Sequence, residues 1–295
     1  MHRCPGCGAA GPRLQKRGRY RTAQSAVQRY RCQGCGKWSA APAAARLPPP
    51  PAPPAWPAAG QAALHLFSPV LLDLFSSSGG ATRGYGRAGF RTAGVDSEPQ
   101  PNYPSEFLQA DALDVLRLLL AGGTVLGYRL ADIHAIHASP PCQLFSSLAV
   151  ARGDGTQHNY PDLIAQTREA LAATGKLTIL ENVTRAPMAA TAVLLCGTQF
   201  AGQYMWHRKF ECNFPVPQLE CDHAPETTYA SPFTMPAFNR IKTDFGSPPG
   251  PEARFRLMKG ITWTRNQKEG REALPPVYTA YIGSCLTRAL AMPAA

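Results

Sequence analysis

Cys142 stands in the run Ser139-Pro140-Pro141-Cys142-Gln143-Leu144-Phe145-Ser146, directly after the short apolar stretch from Asp132 to Ala138. That stretch has the length and composition of a buried strand, and two prolines stop it and stiffen the turn. A thiol just past the carboxyl end of a strand in an open α/β sheet lies where such sheets bind ligands. Its chemistry there would be nucleophilic addition; the competing reading is an inert buried cysteine. Glu181 decides between them. It ends a second strand-like run, Leu177 to Leu180, in Glu181-Asn182-Val183. A carboxyl group therefore reaches the same sheet edge as the thiol, a nucleophile with an acid beside it.

A second set of residues calls for metal chemistry. Cys4-Pro5-Gly6-Cys7 and Cys32-Gln33-Gly34-Cys35 are two Cys-x-x-Cys knuckles. Each lets two thiolates grip one ion while small residues permit the turn, and two pairs complete a tetrahedral zinc site. Arg17, Arg19, Arg21, Arg29 and Arg31 are among the arginines between the knuckles, interleaved with Tyr20 and Tyr30. Downstream, Cys212, Cys221 and His223 hint at another metal site, with no fourth ligand evident. His134, His137 and His158 do not read as ligands, because their spacing suits a strand and a loop.

The elements that must position these residues follow from the patterning. Val70 to Phe75 reads as a buried strand, Ser76-Ser77-Ser78-Gly79-Gly80 as a turn whose small residues admit a ligand, and Ala81 to Ala88 as a helix. Strand, small-residue turn and helix open a nucleotide-type fold. Further strands are predicted over Arg91 to Val95, ending at Asp96, over Phe107 to Asp111, and over Val193 to Cys196. Helices are predicted from about Leu113 to Leu120 and from Pro161 to about Thr174, with a loop over 147–160 between thiol and second helix. Asp96 and Asp111 end strands where a carboxylate can accept from ligand hydroxyl or amino groups, or alternatively cap a turn.

Composition bounds the rest. The chain has 295 residues and 44% hydrophobic content, enough for a core domain and a small satellite. Its net charge of +11 is one segment's property: residues 1–46 hold ten basic residues and no acid, while the remainder carries 20 Lys and Arg against 19 Asp and Glu. Such a segment points to nucleic acid. Residues 41–63 are Ala/Pro-rich and read as a semi-rigid spacer. The expected domains are a zinc ribbon over 1–40, that linker, and an α/β domain over 64–295. No stretch is long and apolar enough for a membrane span, and cysteine usage points to a reducing compartment. A monomer in a bacterial cytoplasm is the expectation.

Pro141-Cys142-Gln143 followed by Glu181-Asn182-Val183 resembles the DNA cytosine-5 methyltransferases, and the likeness extends in motif order from Val70 to about Phe214. The fold it implies is a Rossmann-like, S-adenosylmethionine-dependent methyltransferase sheet. By that resemblance Cys142 is the nucleophile, with a thiol pKa lowered by neighbouring positive charge and turn N–H groups. Glu181 acts on cytosine N3 and Arg208, in Trp206-His207-Arg208-Lys209-Phe210-Glu211, holds O2. Trp206 stands where the family has a first arginine. Asp73, Phe75, Ser76, Gly79, Gly80, Asp96, Asp111 and Pro141 are the implied cofactor residues. Ser77 replaces the first motif's first glycine, and Ser97 a bulky residue over the adenine. The 147–160 loop would close over an extruded base. Leu274 to Gly283 resembles the closing motif without its Gly-Asn pair. The target-recognition region, about 212–257, is short. The N-terminal segment resembles the zinc ribbons of some transposases, which implies Zn²⁺ at Cys4, Cys7, Cys32 and Cys35 and a double-stranded DNA partner. RNA as substrate, a transferred group other than methyl, and a non-catalytic DNA-binding protein are the rivals.

Overall fold

The computed structural model describes residues 14–21, 26–33, 35, 38–42, 68–146, 160–200, 204–223, 228–229, 256–264 and 267–291. Two units divide the chain, Met1–Ala55 and Trp56–Ala295. In the first, β1 (Leu14–Arg21), β2 (Ala26–Cys32) and β3 (Trp38–Pro42) form an antiparallel sheet in that order. The register jumps between Lys16 and Arg19, so Arg17 and Gly18 oppose Arg29 alone, a bulge that increases local twist. Cys32 closes β2 and is buried, and Cys35 is exposed. Cys4 and Cys7 lie outside the described residues, as do 43–63 of the expected linker and 147–159 of the expected loop. Ala41 and Pro42, assigned to the linker from sequence, belong to β3 because its pairing with β2 runs to Pro42.

The second unit is a mixed α/β fold with a large, mostly parallel sheet. Its strands are β4 (Val70–Leu74), β5 (Arg91–Asp96), β6 (Glu106–Gln109), β9 (Ile133–Ala138), β10 (Leu177–Asn182), β11 (Val193–Leu195) and β13 (Arg208–Cys212). The order across the sheet is β11-β13-β10-β9-β4-β5-β6. Only β13 runs antiparallel to its neighbours, β10 and β11. Short pairs stand apart from this sheet: β7 (Thr124–Val125) with β8 (Tyr128–Arg129), and β12 (Tyr204–Met205) with β14 (Thr228–Tyr229).

Strand alternation splits the core between the two faces. Leu72, Ile136 and Leu180 pack with Leu116 of α2 (Ala112–Leu120) and with Ile164 and Leu171 of α3 (Ile164–Ala173). Leu71, Ala135 and Ile179, each one residue away, pack with Tyr85 of α1 (Gly80–Arg87) and with Tyr278, Ile282 and Leu286 of α5 (Pro276–Ala291). A parallel sheet covered on both faces requires such strands to be apolar throughout. β4 is buried at all five positions.

Helix α3 begins at Ile164, three residues later than Pro161 predicts. The Asp162 carboxylate accepts from the Ile164 N–H at 3.0 Å, so the cap lies beyond the proline. β6 likewise stops at Gln109, and Asp111 falls outside the strand. A short helix, α4 (Gln267–Glu272), precedes α5. Among the described residues no helix is long and apolar enough to cross a membrane.

Candidate active site

The strand order reverses between β4 and β9, which lie side by side while their connections lead to opposite halves of the sheet. The carboxyl ends of strands at such a switch point frame a crevice. The Phe75–Gly79 loop leaves β4 there and the Ser139–Cys142 turn leaves β9. The Ser139 N–H donates to the Leu74 carbonyl at 3.1 Å, tying the two exits together.

Cys142 is half-buried at the start of a single 3₁₀ turn, Gln143–Phe145, with its carbonyl accepting from Phe145 N–H at 3.0 Å. The preceding prolines are held from the next strand: the Asn182 side-chain amide donates to the Pro140 carbonyl at 2.9 Å. Pro141, between them, is half-buried. Glu181, one residue back on β10, is buried. It opposes Phe210 on β13, which makes Arg208 its diagonal neighbour on the same face. Arg208 Nε lies 3.1 Å from Glu181 Oε1, a charge contact without an aligned hydrogen bond. The structure thus brings together the three residues assigned to catalysis.

Electrostatics correct one expectation. The Cys142 thiol is pushed up, not down: burial outweighs the Arg208 charge, and the Glu181 charge adds to the rise. Burial also pushes the Glu181 carboxyl up, opposed by Arg208, the Ser139 hydroxyl and Lys259. His137 is fully buried and held neutral, its pKa lowered to about 3 by burial. Its ring nitrogens meet Tyr85 OH at 2.9 Å and Ser139 Oγ at 2.8 Å, a chain that fixes the turn from beneath. His134 Nδ1 accepts from Val70 N–H at 3.1 Å, so neither histidine is placed as a ligand.

The β4 loop holds strained backbone. Phe75 and Ser77 have φ of 53° and 45°, left-handed values that cost a non-glycine residue about 1–2 kcal/mol. Glycine would occupy position 77 freely, which is the physical content of the Ser77 departure. Asp96 compensates: its two oxygens accept from Ser77 N–H at 2.8 Å and Glu98 N–H at 2.9 Å. Asp73 is fully buried and accepts at Oδ2 from Thr82 Oγ1 at 2.9 Å and Tyr103 OH at 3.1 Å. Burial raises its carboxyl pKa to about 7 against these hydrogen bonds.

Asp73 Oδ1, Ser76 Oγ and Ser77 Oγ are buried without hydrogen-bond partners. Three such atoms at the end of β4 and on the loop after it fit a polar ligand such as the amino-acid part of S-adenosylmethionine, since buried polar groups ordinarily find partners. Gly79 and Gly80 serve differently from the sequence reading. A Cβ on Gly79 would lie 2.4 Å from the Pro104 ring, and one on Gly80 2.2 Å from the Leu274 carbonyl. The missing side chains admit neighbouring chain rather than ligand. Asp111 is exposed and caps α2, its Oδ1 accepting from Leu113 and Asp114 N–H at 2.8 and 3.0 Å.

Several site residues carry no signal in their own stretch of sequence. Trp206 lies between two cations, with Arg208 Cζ 4.1 Å and Lys259 Nζ 3.7 Å from the ring centre. Lys259 is buried and donates to the Gly270 and Arg271 carbonyls at 2.9 and 3.0 Å. Tyr103 packs on Gly94 and Gly79 below the β4 loop. Trp263 Nε1 donates to the Ser78 carbonyl at 2.7 Å, and Glu269 accepts from Asn102 Nδ2 at 3.0 Å. The segment after Arg256 therefore closes over the loop.

No family model matches the sequence, and no curated protein does. Among solved structures, the Entamoeba histolytica methyltransferase EhMeth aligns over 76% of this chain and 99% of its own, at 10% identity and a TM-score of 0.47. The S. pombe Dnmt2 methyltransferase aligns over 76% and 100%, at 12% identity and a TM-score of 0.46. A triple mutant of Spodoptera frugiperda DNMT2 aligns over 54% and 56%, at 17% identity and a TM-score of 0.34.

Proposed function

We propose that this chain methylates C5 of cytosine in nucleic acid, double-stranded DNA being the substrate read from the sequence. The observation that carries the reading is a half-buried thiol at the switch point, within the fields of buried Glu181 and half-buried Arg208. Cytosine C5 is a weak nucleophile. Addition of the Cys142 thiolate to C6 moves the ring electrons toward N3, where protonated Glu181 gives up its proton, and leaves C5 enamine-like. Arg208 holds O2, where charge gathers during addition. Asp73, Phe75, Ser76 and Asp96 would hold S-adenosylmethionine, which supplies an electrophilic methyl group. Loss of the C5 proton to water then re-forms the C5–C6 double bond and expels Cys142 as thiolate, and N3 returns its proton to Glu181. The base must leave its stack to reach the thiol, at a cost of a few kcal/mol.

The ribbon belongs to the same reading. A basic segment with a three-stranded sheet whose second strand ends at Cys32 supports a structural zinc at Cys4, Cys7, Cys32 and Cys35 and phosphate contacts along DNA.

A fluorine at C5 cannot leave as a proton does, so the thiol adduct is trapped. DNA carrying 5-fluorocytosine should give a denaturant-stable complex with the wild-type protein and none with Cys142→Ala. Trapping on the matching RNA alone would move the substrate to RNA. A complex that persists in Cys142→Ala would remove the nucleophile from the mechanism.

A further inference from the structure

Cys196, His207, Cys221 and His223 come from three separate segments of the second unit, yet one ligand atom of each lies within 4.8 Å of every other. Cys196 follows β11, His207 precedes β13, and Cys221-Asp222-His223 sits in the stretch 213–223, which holds no helix or strand. We propose that these four residues bind one structural zinc ion, separate from the cysteines of the N-terminal segment.

The geometry suits that ion. In a tetrahedral site with Zn–S of about 2.3 Å and Zn–N of about 2.0–2.1 Å, a sulfur and a nitrogen ligand lie about 3.6 Å apart. Cys196 Sγ lies 3.6 Å from His223 Nε2, and Cys221 Sγ lies 3.6 Å from His207 Nε2. Two sulfurs and two imidazole nitrogens are a donor set that selects zinc. All four positions are protein atoms, so the site is closed and structural rather than catalytic.

The surroundings fit as well. Thr198 Oγ1 donates to Cys196 Sγ at 3.3 Å and Gln199 Nε2 to Cys221 Sγ at 3.5 Å. Such outer donors orient and stabilise metal-bound thiolates. Gln199 also bonds the Cys196 N–H and the Leu194 and Leu219 carbonyls, holding two of the ligand segments together. The local apolar cluster holds Tyr204 with Trp206 and Met258 packed against it. Cys212, which sequence alone groups with Cys221 and His223, is excluded: its thiol packs in the core on the α5 face of the sheet. The missing ligands, Cys196 and His207, escape a search by spacing because they flank an edge excursion of the sheet. His207 adjoins Arg208, so the ion would fix the base of the strand that carries the arginine.

The test uses the full chain with Cys4, Cys7, Cys32 and Cys35 all changed to serine, expressed with added zinc. One zinc per chain should remain, and X-ray absorption should show two sulfur and two nitrogen ligands. Adding His223→Ala and Cys221→Ser should bring the zinc content to zero, whereas His223→Cys should retain the ion with three sulfurs. His223 is exposed, so circular dichroism of its single alanine variant separates metal loss from misfolding. No zinc in the four-serine protein, or zinc unchanged after both ligand substitutions, overturns the assignment. Neither readout depends on methyl transfer, so the proposed reaction can fail while the metal site stands.

Discussion

In the proposed reaction Cys142 must lose its proton while Glu181 holds one. Both are pushed up by burial, the thiol from an ordinary value of 9.0 and the carboxyl from 4.5. The proposed addition to C6 needs the thiol deprotonated and the carboxyl protonated, so kcat/KM should describe a bell. Its acid limb should lie above 4.5, rising with pH as the doubly protonated pair loses its first proton. Its alkaline limb should lie above 9.0, falling as the second proton leaves. Glu181→Gln should lower kcat/KM by about 10²–10⁴-fold, abolish the acid limb, and leave a residual rate that climbs through the thiol titration. An acid limb that survives in the glutamine variant would assign it to another group. The strand-end placement of Cys142 and Glu181 was legible in sequence because each follows a local apolar run, whereas Arg208 came from the family resemblance. Lys259 and Tyr103 were not legible, because each meets its partners only through the fold. The thiol's direction was misread for the same reason: a neighbouring cation can be guessed from sequence, but depth of burial cannot.

At the level of elements, α1 and α5 approach so closely that side chains are excluded. A Cβ on Gly84 would lie 2.0 Å from Thr279 Oγ1 and 2.2 Å from the Pro276 carbonyl, and one on Gly283 would lie 2.6 Å from Ala88 Cβ. Alanine in place of an interior helical glycine ordinarily gains about 1 kcal/mol. Here backbone of α5 must move, and overpacking costs about 1–3 kcal/mol. Gly84→Ala should therefore reduce the free energy of urea unfolding, and unchanged or increased stability would show that the helices can separate freely. The helix pair also braces the end of β4 and the start of α1, since Thr82 of α1 bonds Asp73 and Thr279 of α5 bonds the Ala81 carbonyl. The elements themselves were largely legible, because alternating apolar runs and Gly/Pro punctuation are local. The purpose of Gly79 and Gly80 was not, because Pro104 and Leu274 arrive from distant parts of the chain.

For the whole molecule, charge is divided as the units are: residues 1–46 carry ten of the 30 basic residues and none of the 19 acids. A protein that neutralises phosphates loses affinity with salt at a logarithmic slope of about −0.9 per contact. Removing residues 1–46 should weaken DNA binding and flatten that slope while leaving S-adenosylmethionine affinity unchanged. Equal slopes for full-length and truncated protein would give the basic segment another partner. The second unit has an asymmetry of its own. β13 lies between β10 and β11, although the chain makes it after both. β11 is three residues long and touches the sheet only through β13. β11 cannot join the sheet before β13 does, and until β13 docks β10 is an open edge, the kind of surface on which chains pair wrongly. Refolding should accordingly pass through a stage in which nucleophile and acid are assembled and their arginine is not. In pulsed hydrogen exchange, β4, β9 and β10 should gain protection first, with β11 and β13 following together. Protection of β13 ahead of β10 would rule that order out. The last strand to arrive would then be the one that completes the charge balance around the thiol, so the chain would gain its reactive centre and its finished sheet in the same step.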